Sequence, residues 1–184
     1  MTEPIYYYTL PDEASSWTLL GSGNGVCALL YREEQLVEAR GWLDAVAPHG
    51  YALRADRAPF EAFGVVERLR RYFAGERVGF EGIPLDIRGT AFQREVWTAL
   101  ADIPYGETRT YGEVASAIGR PRATRAVGAA NGRNPLPVLL PCHRVVGADG
   151  TMTGYRGGLA MKKRLLAIEG IGGVAERGHA RFRF

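Results

Sequence analysis

The stretch Asn134-Pro-Leu-Pro-Val-Leu-Leu-Pro-Cys-His-Arg-Val-Val146 places a cysteine beside a histidine, between two apolar runs that are typical of buried strands. Its prolines at 135, 137 and 141 restrict the backbone to extended or turn conformations. Because Pro141 has no N–H to donate to a sheet, we predict that the chain breaks or turns immediately before Cys142. The stretch therefore predicts a thiol held at a rigid break between apolar walls, an environment that suits a nucleophile.

Two roles are open to Cys142 on local chemistry alone. Free cysteine usually behaves as a small buried hydrophobe, so inert packing is the default interpretation of a cysteine in an apolar run. The adjacent His143 and Arg144 favour a nucleophile, because a nearby imidazole or cation lowers the pKa of a thiol. Local chemistry leaves packing and nucleophilic catalysis about equally open.

Length and composition indicate an ordinary globular protein of one or two small domains, with 184 residues and 46% hydrophobic content. The net charge of +3 is compatible with a nucleic-acid partner without demonstrating one. Two cysteines in different contexts do not form a disulfide framework, which favours a reducing compartment. We find neither a signal peptide nor an apolar stretch of the ~18 residues that a membrane span needs. We expect no membrane association, and a cytoplasmic monomer, or a nuclear one in a eukaryote.

The first half of the chain, residues 1–85, predicts a small α+β scaffold domain. Apolar residues recur at helical spacing from about 59 to 74 and predict one helix. Cys27 is predicted to pack within a strand, and neither Cys27 nor His49 has further ligands nearby, so we predict no metal site. Proline and glycine in the stretch 83–90 predict the link to a second domain. Aromatic and β-branched runs predict strands at 5–10, 17–20 and 26–31, with a hairpin turn over 21–25.

The second half, residues 89–170, predicts a mainly helical domain followed by a tail, 171–184. A helix is predicted from Thr90 to about Asp102. Thr110 and Glu113 fit a capping box that opens a helix to about residue 118. A basic turn at 119–122 and a helix over about 123–131 complete a helix-turn-helix candidate. The pattern is of moderate specificity, because many helix pairs that do not bind DNA share it.

The second of these helices is composed mainly of alanine and glycine, so it offers few side chains to base edges. Specific reading of the major groove needs Arg, Lys, Asn or Gln directed toward the bases. A smooth face favours close approach to a groove and backbone contacts without sequence choice. Tight packing against a neighbouring helix is the alternative, and both can hold on opposite faces. The predicted phosphate contacts flank this helix: Arg120, Arg122 and Arg133.

The segment Pro141-Cys-His-Arg-Val145 resembles the acceptor motif of the O6-alkylguanine-DNA alkyltransferases, also called methylated-DNA–protein-cysteine methyltransferases. The resemblance continues at 125–128, 154–158 and 165–170, and it covers roughly residues 89–170. It implies a ribonuclease H-like α/β domain followed by a helical DNA-binding domain. It also implies direct-reversal DNA repair without a cofactor. In such repair O6-alkylguanine rotates out of duplex DNA, and its alkyl group passes irreversibly to Cys142.

The resemblance implies roles for individual residues. Glu169, His143 and Asn134 match a Glu that hydrogen-bonds the His, a His that reaches the Cys through a water, and an Asn that supports this network. Tyr111 matches a Tyr that helps to rotate the nucleotide and contacts the guanine. Arg125 matches an Arg that fills the gap in the base stack. The other implied contacts are Gly112 with DNA, and Val145, Tyr155 and Arg156 with the substrate.

Two positions depart from the pattern of the family. Arg156 replaces the small polar residue of some relatives, and such a side chain could narrow the pocket for bulky adducts. Asn131 stands where some relatives have an apolar residue. In the tail, Arg181 and Arg183 could contact DNA, although free solvation is the default.

Three rival functions are open from sequence. The first is a lesion-binding protein of the same fold that does not repair, although known relatives of that kind lack the acceptor cysteine that Cys142 provides. The second is a helix-turn-helix transcription regulator, which the small-residue second helix disfavours. The third is a cysteine hydrolase, suggested by Cys, His and a carboxylate.

Overall fold

The computed structural model describes residues 2–12, 15–31 and 34–176. The chain divides into two compact units, one from Met1 to Gly89 and one that begins at Thr90. Arg181 and Arg183 lie outside the described residues. Within the described ranges, none of the helices has the length and apolar character that crossing a membrane requires.

A four-stranded sheet forms the first unit. Strands β1 (Glu3–Asp12), β2 (Ser15–Ser22) and β3 (Gly25–Tyr31) form an antiparallel meander, and β4 (Tyr51–Ala55) pairs parallel with β1. The strand order is β3-β2-β1-β4, and the three strands predicted from sequence are confirmed. At the β2–β3 hairpin Gly25 has φ 145°, and a Cβ there would lie 2.4 Å from the carbonyl oxygen of Pro84. Only glycine fits this close approach of two backbones.

Three helices belong to the first unit: α1 (Glu34–Val46), α2 (Ala58–Ala62) and α3 (Val65–Phe73). The single helix predicted over 59–74 is wrong, because Gly64 adopts a left-handed φ of 72° and separates α2 from α3. Cys27 is fully buried in the core with Ile5 and Leu20, which confirms that it packs.

The stretch that we expected to link two domains is hydrogen-bonded to the first unit. The N–H of Val26 donates to the carbonyl of Pro84, and the N–H of Asp86 donates to the carbonyl of Val26, both at 2.9 Å. Arg88 donates to the carboxylate of Glu3 at 2.6 and 2.9 Å. These bonds attach the stretch to the edge strand β3 and to the beginning of β1.

The second unit contains both helices and short strands. Thr90 and Thr110 each form a capping box with a residue three positions later, Gln93 and Glu113 respectively. The capping box predicted at Thr110 is therefore confirmed. The elements are α4 (Ala91–Ala101), β5 (Arg109–Thr110), α5 (Tyr111–Ala117), α6 (Thr124–Gly132), a 3₁₀ helix (Cys142–Arg144), β6 (Val145–Val146) and α7 (Leu159–Ile168).

Two pairings hold the elements of this unit in register. The indole N–H of Trp97, on α4, donates to the carbonyl of Ala130 on α6 at 2.7 Å. Strand β5 pairs parallel with β6, so that Arg109 lies opposite Val145. The start of α5 is thereby fixed directly beside the segment that carries the cysteine.

The apolar run before Cys142 is not a strand, and this prediction is wrong. Residues 134–140 form bends and turns, in which the N–H of Leu140 donates to the carbonyl of Leu136 at 2.8 Å and Val138 has φ 73°. The prolines at 135 and 137 cannot donate to a ladder, which explains the choice of turns over a strand. The predicted break is confirmed, since the 3₁₀ helix begins at Cys142.

Candidate active site

The thiol of Cys142 lies at the first residue of the 3₁₀ helix and is only 4% exposed. Its backbone is held on both sides. The N–H of Cys142 donates to the carbonyl of Leu140 at 2.7 Å, and the amide of Asn131 donates to the carbonyl of Cys142 at 3.3 Å. The proline-rich turn and the end of α6 therefore fix the position of the cysteine.

Asn134 braces the turn from within. Its amide nitrogen donates to the carbonyl of Leu140 at 2.7 Å, and its amide oxygen accepts from the N–H of Leu136 at 2.9 Å. The same side chain hydrogen-bonds the thiol of Cys142. Asn134 thus connects the backbone that shapes the turn to the sulfur that the turn presents.

The surroundings of Cys142 act on its thiol in opposite directions. Burial raises the pKa of Cys142 above its ordinary value, because a thiolate loses its hydration inside the protein. Hydrogen bonds with Asn134 and Tyr155 lower this pKa, as do the positive charges of Lys162 and Arg156. A buried thiol is thereby given partners that favour its charged form.

Lys162 is a fully buried cation that sequence reasoning missed. Its ammonium donates to the carbonyl of Val145, and burial lowers its pKa to about 8. A signal for it was present in the sequence. Lys162 precedes Leu165 and Leu166 by three and four positions, and both leucines are buried, so it lies on the apolar face of α7.

His143 and Glu169 form a buried pair, with 2.7 Å between Nε2 of the imidazole and Oε1 of the carboxylate. Burial would raise the pKa of Glu169, but bonds and charges from His143 and Arg144 lower it to about 2. Burial lowers the pKa of His143, against the opposing effect of Glu169. At neutral pH the carboxylate is ionised and accepts, so the neutral imidazole carries its proton on Nε2. The lone pair of Nδ1 is then the proton acceptor of the ring.

Arg144, which the sequence offered as a cation near the thiol, binds the carboxylate of Glu169. Its guanidinium donates to both carboxylate oxygens of Glu169, from Nε at 2.8 Å and from Nη2 at 3.0 Å. It also donates to the carbonyl of Ile103, and the N–H of Gly106 donates to Glu169 at 3.2 Å. The carboxylate therefore joins the cysteine segment, the end of α7 and the turn after α4.

Tyr111 opens α5, and its hydroxyl lies 2.8 Å from the hydroxyl of Thr153, in the loop before α7. Burial raises the pKa of Tyr111, and the charge of Cys142 acts in the same direction. The phenol therefore stays protonated at neutral pH and lies close enough to the thiol to interact with its charge. Gly112, the next residue of α5, is half-buried.

Some small residues of α6 pack against α5, and others lie on an exposed face. A Cβ on Gly128 would lie 3.7 Å from the ring of Tyr111, so the two helices approach closely there. Arg125 and its neighbours Thr124 and Ala126 are exposed. The packing interpretation is therefore confirmed for one face, and the other face is exposed to solvent.

The flanking arginines are all exposed, and they differ in their contacts. Arg120 lies 3.0 Å from the carboxylate of Glu95 and over the ring of Phe92. Arg122 and Arg133 lie at the two ends of α6 on the surface. These side chains line the rim of α6. The four predicted catalytic residues are buried together with the predicted substrate residues Val145 and Tyr155, and Arg156 is half-buried beside them.

The arrangement supplies a nucleophile, a proton acceptor fixed in one tautomer, and buried cations beside the sulfur. These are the parts that transfer of a group to a thiol requires.

Comparison with known proteins identifies relatives over most of the chain. The sequence model of the family described as "6-O-methylguanine DNA methyltransferase, DNA binding domain" matches residues 91–171. A methylated-DNA–protein-cysteine methyltransferase of Mycolicibacterium paratuberculosis is 61% identical over 106 residues, which are 58% of this chain and 64% of that protein. A protein of the same name from Mycobacterium bovis is 45% identical over 166 residues, which are 90% of this chain and 92% of that protein.

A solved structure matches as well. The crystal structure of Mycobacterium tuberculosis OGT in complex with DNA has a TM-score of 0.75 at 44% identity, and the match covers 90% of this chain and 93% of that one. The match to the M. paratuberculosis protein spans slightly less than two thirds of that protein's length, whereas the other two span nearly all of theirs.

Proposed function

The chain belongs to the family of methylated-DNA–protein-cysteine methyltransferases, and we propose that it repairs alkylated DNA by accepting the alkyl group of O6-alkylguanine on Cys142. The observation that carries this proposal is the thiol of Cys142 at the start of the 3₁₀ helix, followed by the buried His143–Glu169 pair and beside groups that oppose the effect of burial on its pKa. The enzyme class is methylated-DNA–[protein]-cysteine S-methyltransferase.

The chemistry is a single displacement at carbon. The sulfur of Cys142 attacks the alkyl carbon, a C–S bond forms, and the bond between that carbon and O6 breaks with its electron pair leaving on the guanine. The product is a thioether, which has no carbonyl for water to attack. Each protein molecule therefore acts once, and the reaction needs no metal or organic cofactor.

His143 accepts the thiol proton in this proposal. The ionised carboxylate of Glu169 holds the proton of the ring on Nε2, which leaves Nδ1 as the acceptor, directly or through a water. Asn134 holds the turn and hydrogen-bonds the sulfur. The three residues act on the thiol as an orienting and deprotonating unit.

The substrate base must leave the duplex, because its O6 alkyl group lies inside the base stack while Cys142 is buried in the protein. We assign the rotation of the base to Tyr111 and the filling of the vacated stack to Arg125. The exposed position of Arg125 on α6 supports this assignment, as does the short distance from Tyr111 to the loop before α7.

In the pocket, Val145, Tyr155 and the backbone of Arg156 contact the flipped base. The carbonyl of Val145 already accepts from Lys162, and its second lone pair can accept from the amino group of guanine. The side chain of Tyr155 acts on the pKa of the thiol and forms the wall beside it.

The DNA surface of this proposal is the pair α5 and α6, acting as a helix-turn-helix on double-stranded DNA without strong sequence preference. Gly112 permits close approach, and Arg120, Arg122 and Arg133 contact phosphates. The ion pair of Arg120 with Glu95 is exposed, so a phosphate can replace the carboxylate at little cost.

We also propose a ribonuclease H-like topology for the first unit, supported by its antiparallel meander and parallel fourth strand. The protein would act as a monomer. Both cysteines are free thiols, which supports the reducing environment of the cytoplasm.

Incubation with duplex DNA that contains O6-methylguanine tests the function. Mass spectrometry should find one added methyl group, on the peptide that contains Cys142 and not on the peptide that contains Cys27. Transfer to Cys27 would overturn the assignment. Tight binding of the lesion without transfer would favour the non-repairing lesion binder, and turnover of an ester or amide would favour the hydrolase.

A further inference from the structure

Arg156 contributes a half-buried guanidinium to the wall of the thiol pocket. The residue lies in the loop between β6 and α7, and the Nε and Nη2 atoms of its side chain are buried. Its Nη1 donates to the backbone carbonyl of Asn134 at 3.2 Å. The positive charge is therefore held partly inside the protein, where water screens it less than on the open surface.

The residue that anchors this guanidinium also braces the turn that holds the thiol. The side chain of Asn134 donates to the carbonyl of Leu140, which also accepts from the N–H of Cys142. The charge of Arg156 acts on Cys142 and lowers the pKa of the thiol, as the side chains of Asn134 and Tyr155 also do. The guanidinium is thus held beside the segment that carries the sulfur.

Other charged and titratable groups also face Cys142. Lys162 reaches it from α7, with a pKa of about 8, and Tyr111 reaches it from α5. His143, Arg144 and Glu169 form the adjacent buried cluster. Lys162 loses its charge as the pH rises through about 8, whereas a guanidinium keeps its charge throughout.

We propose that Arg156 is a fixed cation of the acceptor pocket, which favours the thiolate form of Cys142 and thereby sets the rate at which the sulfur accepts an alkyl group. Arg156 is a positioning residue, because it acts through the sulfur and not on the alkyl carbon. The inference rests on the proposed function only in taking Cys142 as the acceptor, and its test does not need DNA.

Alkylation of Cys142 by iodoacetamide measures the thiolate directly. In this reaction the thiol releases its proton to solvent, the sulfur bonds to the methylene carbon, and iodide leaves. The rate is followed between pH 6 and pH 10 by mass spectrometry of the Cys142 peptide. The proteins compared are the wild type, the neutral variants Arg156→Gln and Arg156→Ala, the charge-retaining Arg156→Lys, and Arg94→Gln as a matched exposed arginine on α4.

The neutral variants should react roughly fivefold more slowly at pH 7, because one nearby charge no longer favours the thiolate. The midpoint of the rise in rate with pH should lie at higher pH in the neutral variants than in the wild type, because the pKa of their thiol is higher. Arg156→Lys should keep most of the rate, and Arg94→Gln should keep all of it. A lower rate with an unchanged midpoint would assign Arg156 to access or folding and overturn the proposal. An Arg156→Lys variant as slow as Arg156→Gln would also overturn it.

Methyl transfer from DNA, measured on the same proteins, separates this inference from the proposed function. If the wild type methylates Cys142 while the neutral variants keep an unchanged iodoacetamide profile, the function stands and the inference fails. If the profile shifts as expected but no protein accepts methyl from DNA, the inference stands and the proposed function fails.

Discussion

The two cysteines of this chain are both buried, and they have opposite environments. Cys27 lies in the sheet core of the first unit among aliphatic side chains, and burial raises its pKa to about 12. Burial raises the pKa of Cys142 as well, but hydrogen bonds from Asn134 and Tyr155 and the charges of Lys162 and Arg156 oppose that effect. The same residue type is therefore a hydrophobe in one unit and a nucleophile candidate in the other. Burial alone does not decide which.

A direct measure of this contrast is the reactivity of each thiol with iodoacetamide in the folded protein. Cys142 should be alkylated at least about a hundredfold faster than Cys27 at pH 7.5, because two hydrogen bonds and two cations oppose the effect of burial on its thiol and because it retains some solvent access. Peptide mapping after brief exposure gives both rates. In the Cys142→Ser variant no rapid reaction should occur until denaturant is added, and rapid labelling of folded Cys27 would remove the contrast.

A variant of Glu169 tests whether the environment of Cys142 depends on the carboxylate of that residue. Glu169→Gln should slow transfer from O6-methylguanine about 10- to 100-fold, because the amide orients His143 less strongly and leaves Arg144 without its ionised partner. The measurement is the second-order rate constant for transfer to Cys142, with the folded fraction checked by circular dichroism.

The matched control for this variant is Glu176→Gln, which removes an exposed carboxylate of the same unit that lies 3.7 Å from Lys163. It should transfer at the wild-type rate. Equal rates for both variants would show that the buried carboxylate does not support the thiol.

The two cysteines should also differ in how much each contributes to the free energy of unfolding, and here Cys27 should contribute more. Cys27→Ser should lower the free energy of unfolding by about 1–3 kcal/mol, because it places a hydroxyl in an apolar core. Cys142→Ser should cost less, since Asn134 and Tyr155 can hydrogen-bond the new hydroxyl. Urea titration of both variants gives the two values, and a larger loss for Cys142→Ser would mean that the thiol site is the more apolar of the two.

The smallest expected effect lies on the DNA side of the second unit. Arg122→Gln should weaken binding to unrelated duplexes alike and reduce the salt slope of log K by about one unit. Arg70→Gln, an exposed arginine on α3, is the matched control. Fluorescence anisotropy at several salt concentrations measures both slopes. An unchanged slope for Arg122→Gln would remove that arginine from the phosphate contacts, and a strong preference for one undamaged sequence would favour the transcription regulator.

Local signals predicted the second unit better than the first. The capping residues Thr110 and Glu113 lie close in sequence, and so do the prolines that break the chain before Cys142, so their geometry follows from a few neighbouring residues. The helix α1 and strand β4 were not predicted. In α1 the apolar pattern is weak, and Val37 on it is 73% exposed.

The parts of the site that escaped prediction depend on contacts between distant residues. The role of Lys162 could not be predicted from its place on an apolar helix face alone. Its hydrogen-bond partner, the carbonyl of Val145, lies 17 residues earlier in the chain. The strand expected before Cys142 failed for a different reason, because three prolines outweigh the β propensity of the apolar residues between them.

The location of Glu169 and Lys162 near the end of the second unit affects the timing of biosynthesis. His143 and Glu169 are 26 residues apart. Lys162, on α7, and Glu169, which caps that helix, are both synthesised after the cysteine segment. At about 5–20 residues per second, a ribosome spends a few seconds in this interval. During that time the nascent thiol lacks the lysine that favours its charge and the carboxylate that orients its histidine. Under the proposed function, the thiol therefore gains its full set of partners only after translation has passed α7.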